Sequence, residues 1–120
     1  MKKTGRIKEA QPTKIELSLY RGMYRLLTLT ILEKTRMKGY QIFKNIKNIT
    51  GIKPSLSTIH DILSEMEKRR LIESIKTETN EKYYMITKIG KKKLEEIKER
   101  TKNKINKIIN LIFEPSPDRI

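Results

Sequence analysis

Two apolar stripes of helical period, parted by the short segment Gly51–Ser55, constrain this chain more than any other feature. Before the break, Tyr40, Phe43, Ile46 and Ile49 recur at helical spacing from about Gly39 to Thr50, with Lys44 and Lys47 between them. Gly51 stands where a residue just past a helix end takes up left-handed backbone. Pro54 marks a tight turn, and Ser55 has the side chain of a good N-cap. Beyond it Leu56, Ile59, Ile62, Leu63 and Met66 form a second stripe running to about Arg70. Two helices joined by a short turn containing Gly is the helix-turn-helix pattern.

The flanking segments extend that pattern. Thr13 and Glu16 have capping-box spacing for a helix start. From Leu17 to Glu33 the chain is apolar nearly all round, with Leu19, Tyr20, Met23, Leu26, Leu27, Leu29, Ile31 and Leu32. A helix apolar on more than one face must be covered on more than one side. Its own domain covers one, and a second subunit is the simplest cover for the other. Lys34–Lys38 reads as a polar break. After the third helix, two strand-like runs, Leu71–Thr77 and Lys82–Thr87, are separated by Glu78–Glu81 and predict a hairpin, or wing. Thr87 then caps a long helix, about Lys88–Phe113, in which Leu94, Ile97, Ile105, Ile108 and Ile112 follow three- and four-residue steps and Thr101 fills one. Pro115 and Pro117 end it. The expected fold is mainly α with a small β-hairpin wing: a winged helix-turn-helix with a long C-terminal dimerisation helix. Its divisions are a basic flexible N-terminal arm (1–12), the winged helix-turn-helix domain (13–87), the dimerisation helix (88–113) and a tail (114–120).

Charge narrows the class of partner. Of 120 residues, Lys and Arg number 28 against 14 Asp and Glu, for a net charge of +14. A magnitude of roughly 2–8 suffices to keep a small domain in solution. The surplus points to a polyanion: DNA, RNA or an anionic membrane surface. No run of 18 apolar residues is present, so no membrane span is expected, and the chain is read as cytoplasmic. With no Cys, one His, no phosphate-cradling Gly loop and no paired acids, catalysis, metals and cofactors are not expected.

In this order the elements resemble the PadR-type winged-helix regulators, the short members with one C-terminal helix. The resemblance runs from about Met23 to Leu94. It is carried by Leu29-Thr30-Ile31-Leu32, by Met37-Lys38-Gly39-Tyr40-Gln41-Ile42, by Ser57-Thr58-Ile59, by Leu63, Met66 and Leu71-Ile72, and by Tyr83-Tyr84-Met85-Ile86-Thr87-Lys88-Ile89-Gly90. Three departures stand out: His60 where the family has Tyr, Arg70 where it has Gly, and an acidic wing tip at Glu78 and Glu81. The resemblance implies a sequence-specific, homodimeric transcription regulator, a repressor. Some relatives bind small aromatic molecules between their subunits; with no Trp and two Phe, no small-molecule effector is expected here.

If Leu56, Ile59, Leu63 and Met66 face the core, the third helix shows Ser57, Asp61, Ser64 and Lys68, with Thr58 and His60 at the margins. Short hydroxyl side chains near a helix N-terminus suit phosphate or base edges in a major groove. The helix is not basic, since Lys68, Arg69 and Arg70 are cancelled by Asp61, Glu65 and Glu67. Electrostatic affinity for double-stranded DNA must come from elsewhere: the arm, Lys38, Lys44, Lys47, Lys53, Lys76 and Lys82. Tyr40 and Ser55 complete the candidate DNA-binding set, although Tyr40, Tyr83 and Tyr84 also suit the core. The candidate dimer face is Leu19, Met23, Leu26, Leu94, Ile97, Thr101, Ile105, Ile108 and Ile112. The rival reading is an architectural, chromatin-like DNA-binding protein with little sequence preference.

Overall fold

The computed structural model describes residues 12–114; the expected arm and tail fall almost wholly outside them. Seven elements follow in order: α1 (Lys14–Lys34), β1 (Met37–Lys38), α2 (Gly39–Thr50), α3 (Leu56–Lys68), β2 (Ile72–Lys76), β3 (Lys82–Ile86) and α4 (Lys88–Phe113). Each boundary has a local cause. The Glu16 N–H donates to Thr13 Oγ1 at 3.3 Å while the Thr13 N–H donates to Glu16 Oε1 at 2.9 Å, so the capping box is closed at both ends. Gly51 ends α2 at φ 72°, its N–H donating to the Lys47 carbonyl at 2.9 Å. Ser55 Oγ accepts from the Thr58 N–H at 3.0 Å and starts α3. The same service at α4 is done by Thr87, whose Oγ1 accepts from the Gly90 N–H at 3.0 Å.

The core lies where α1, α2 and α3 meet the sheet. Tyr24, Leu29 and Leu32 from α1 pack with Ile42, Phe43 and Ile46 from α2, with Ile59, Ile62, Leu63 and Met66 from α3, and with Ile72 and Tyr84 from the strands. Each such side chain contributes roughly 1.5–3 kcal/mol on burial. The α2 stripe differs from its expected form: Ile42 is fully buried, whereas Tyr40 and Ile49 are 60% and 58% exposed. Steps of three residues turn back about 60° each time at 100° per residue, so the run 40–43–46–49 spirals off the core face. Only Phe43 and Ile46 stay on it, joined by Ile42 at the four-residue step from Ile46. Leu56, also expected in the core, is 55% exposed because it opens α3 at the margin of the buried stripe.

The expected hairpin is two strands of a three-stranded antiparallel sheet, ordered β1-β3-β2. Met37 pairs with Tyr84 and Lys38 with Tyr83, so part of the segment read as a polar break is a strand. Two residues are too few to show the alternation by which strands are recognised. Between α3 and β2 the chain turns at Arg70, held at φ 63°, while the Leu71 N–H donates to the Met66 carbonyl at 3.0 Å. This is the left-handed helix-end motif usually served by Gly.

Gly90 seats the first turn of α4 on that junction. A Cβ there would overlap the Leu71 carbonyl oxygen and lie 2.9 Å from Ile86 Cγ1. Beyond Leu94 the helix leaves the core. The radius of gyration is 17.0 Å, against about 13 Å for a compact chain of about 100 residues, because α4 projects past the domain. No helix among the described residues is long and apolar enough to cross a membrane.

Candidate nucleic-acid interface

Four buried residues, Ile59, Ile62, Leu63 and Met66, fix the rotation of α3 about its axis. That rotation decides what the helix shows. Ser57, His60, Asp61, Ser64 and Lys68 are all exposed on the outer side. Ser55 and Thr58 are engaged locally: Ser55 Oγ lies 2.7 Å from Thr58 Oγ1 and 3.2 Å from Ser57 Oγ, and accepts the cap bond. Their first task is to hold the start of the helix.

Beside α3 runs an open groove of about 380 Å³, lined by Gly39 and Tyr40 of α2, by Leu56, Ile59, His60 and Leu63 of α3, and by Lys82 and Tyr84 of β3. It joins the start of α2, the outer helix and the wing. Tyr40 is at its rim, its ring stacked on Phe43 with centroids 5.8 Å apart and the Lys44 ammonium 5.7 Å from its centroid. Lys82 stands over the Tyr84 ring at 5.2 Å. The expectation that Tyr40 is a core residue is therefore corrected: it and Leu56 form an apolar lip on the surface. Sequence reasoning missed Leu56 in this place because it obeys the helical stripe; only its position at the first turn sets it apart.

The lysines expected to supply charge divide into two groups. Lys44, Lys47, Lys53, Lys76 and Lys82 are exposed, as is Lys68 on α3. Lys38 is engaged: its Nζ lies 2.9 Å from Glu81 Oε2, and 6.0 Å from the centroid of the Tyr83 ring, which also carries Arg36 at 5.2 Å. The hydrogen bond from Lys38 holds the Glu81 carboxyl below the usual carboxylate range, and the same bond raises Lys38. Lys38 and Glu81 lie far apart in sequence, and nothing local announces the pair. No group of three or more His, Cys, Asp or Glu that could hold a metal ion occurs among the described residues.

The residues expected at a dimer face fall on α1 and α4. Leu19, Met23, Ile108 and Ile112 are exposed, and so are Ile109, Leu111 and Phe113. Leu26, Ile97, Thr101 and Ile105 line an apolar groove of about 550 Å³ between the two helices, with Gly22 and Leu29 on its α1 side. Leu94 is the exception: at 3% exposure it belongs to the core of its own subunit and has no surface to offer. The first turns of α4 seat Gly90 and Leu94 on the domain, while Ile89, Ile97, Thr101 and Ile105 line the groove.

This arrangement of helices and wing is shared with known proteins. A family model described as transcriptional regulator PadR-like family matches residues 28–96, more than half of the chain. The chain belongs to the PadR-like family. Among solved structures, a transcriptional regulator from Clostridium thermocellum is 26% identical, with a TM-score of 0.71 over 86% of this chain and 99% of that one. A PadR family transcription regulator from hypervirulent Clostridium difficile R20291 is 31% identical, with a TM-score of 0.63 over 74% and 96% of the two chains. Bacillus subtilis PadR, solved in complex with operator DNA, shares the fold at 24% identity, with a TM-score of 0.59 over 65% of this chain and 48% of that one. No curated protein matches. The PadR-like family is one of transcriptional regulators rather than enzymes, which is the class the charge and motif order indicate.

Proposed function

We propose that this PadR-like chain is a sequence-specific, DNA-binding transcription regulator of the cytoplasm, a repressor that acts as a homodimer with α3 in the major groove. The observation that carries the reading is the outer face of α3. Ser57, His60, Asp61 and Ser64 stand exposed on a helix whose rotation is fixed by four buried side chains, beside a groove that ends in Lys82 and Tyr40. Short polar side chains held rigidly reach base edges, while Lys44, Lys53, Lys76 and Lys82 reach phosphates. Competition binding against promoter fragments of the source genome tests it. A discrimination of at least about 10³ over random duplex is expected. Equal binding to every duplex at moderate salt selects instead an architectural protein with little sequence preference. Replacing Ser57, His60, Asp61 and Ser64 together by Ala abolishes discrimination and retains random binding.

The second copy is supported by α1 and α4. Gly22 lies in the middle of α1, in the groove lining, and a Cβ added there would meet nothing within 4 Å. A Gly at an exposed helix interior costs roughly 1 kcal/mol relative to Ala. Close approach of a partner helix offsets that cost. The Gly22→Leu variant is then a folded monomer by sedimentation and circular dichroism, while wild type sediments as a dimer. A monomeric wild type at working concentration removes this part of the reading.

A further inference from the structure

The elements placed to enter a groove carry no surplus positive charge, although the chain as a whole does. The basic residues that close α3 are matched by Asp61, Glu65 and Glu67, and in the wing Glu73, Glu78 and Glu81 outnumber Lys76 and Lys82. At the wing tip one carboxylate is built into place. The Thr77 N–H donates to the Glu81 carbonyl at 2.8 Å, the Glu81 N–H donates to Thr77 Oγ1 at 3.2 Å, and the Thr79 hydroxyl reaches Glu81 Oε1 at 3.4 Å. Glu81 Oε2 holds the Lys38 ammonium at 2.9 Å. Backbone register brings the pair together: Lys38 is opposite Tyr83 on β3, and Glu81 immediately precedes that strand.

We propose that Glu81 is a specificity-determining residue: by occupying Lys38, and by setting its own charge where a phosphate would approach, it lowers the sequence-independent affinity at this corner of the wing. This rests on the duplex-binding reading above. A phosphate that reaches Lys38 must displace a carboxylate already at hydrogen-bond distance, and that carboxylate then faces the phosphate. Exchanging one anion for another gains little, so Lys38 adds little on a random sequence. Discrimination is left to the side chains of α3.

The test is binding of the full chain to a random-sequence duplex across a salt series. Glu81→Gln keeps the side-chain shape and releases Lys38. It is expected to bind about fivefold more tightly at low salt, with a salt slope steeper by about one per subunit. Lys38→Gln alone leaves the Glu81 charge unpaired and is expected to bind about two- to fivefold more weakly, and Lys38→Gln combined with Glu81→Gln returns to within about twofold of wild type. An unchanged Glu81→Gln variant overturns the proposal, as does a gain that survives in the double variant. A folded wild type that binds no duplex fails at the first step, which removes the duplex reading and the proposal with it.

Discussion

Arg25 on α1 gives both Nε and Nη2 to the same carboxylate oxygen of Glu65 on α3, at 2.9 and 2.6 Å. Arg69 approaches the other oxygen at 3.4 Å. Arg25 also lines the groove between α1 and α4, so one side chain touches both the proposed partner surface and the helix proposed to read DNA.

That relationship has a pH signature. The hydrogen bond from Arg25 first, and the charges of Arg25 and Arg69 after it, hold Glu65 below the usual carboxylate range despite partial desolvation. A carboxylate depressed in the folded state adds stability that is fully present above its unfolded pKa and is lost as pH falls through the folded value. The pair is about one-third exposed, so solvent screens it, and Glu65→Gln is expected to cost only about 0.5 kcal/mol at neutral pH. Urea unfolding of wild type and variant should converge as pH drops below about 4. A difference that persists into acid contradicts the charge pairing.

Among the described glycines, Gly90 is the least able to accept a side chain. A methyl there runs into the Leu71 carbonyl and Ile86, both fixed by the sheet and the end of α3. Gly90→Ala is expected to cost about 2–3 kcal/mol by thermal or urea unfolding, although Ala is the better helix former. A neutral or stabilising result shows that α4 does not seat here.

Arg70 gives the opposite sign. A side-chain-bearing residue at φ 63° is strained by roughly 1 kcal/mol relative to Gly. Arg70→Gly should raise stability by about that amount, and Arg70→Ala should not. Denaturant midpoints at fixed slope distinguish the two.

Salt should separate the two proposed associations. α4 holds nine basic residues against three acidic ones, and α1 is also net basic, so subunits meeting through these helices repel. The dimer dissociation constant is expected to fall about three- to tenfold between low salt and roughly 0.5 M, while duplex binding weakens over the same range. Analytical ultracentrifugation at several salt concentrations reads the first. Dimers that loosen as salt rises require a different interface.

The fold was legible wherever one residue type has one local job. Thr13, Ser55 and Thr87 mark three helix starts and Gly51 a helix end, because capping and left-handed backbone are satisfied within a few residues. Ile59, Ile62, Leu63 and Met66 were legible because true helical spacing leaves them on one side. What escaped depends on neighbours distant in sequence. β1 exists only because β3 supplies its partners, Leu94 was spent on its own domain, and Lys38 was engaged by a residue across the sheet. Tyr40 misled because its three-residue spacing to Phe43 imitates a core stripe.

The two residues of β1 have a mechanical consequence. Met37 and Lys38 fasten the wing to the segment that becomes α2, so the hairpin cannot swing as an independent finger. Hairpin and helix are thereby joined through the sheet. In the proposed homodimer, any slack needed to fit unequal spacings between two halves of a binding sequence would then be found at the joint between subunits.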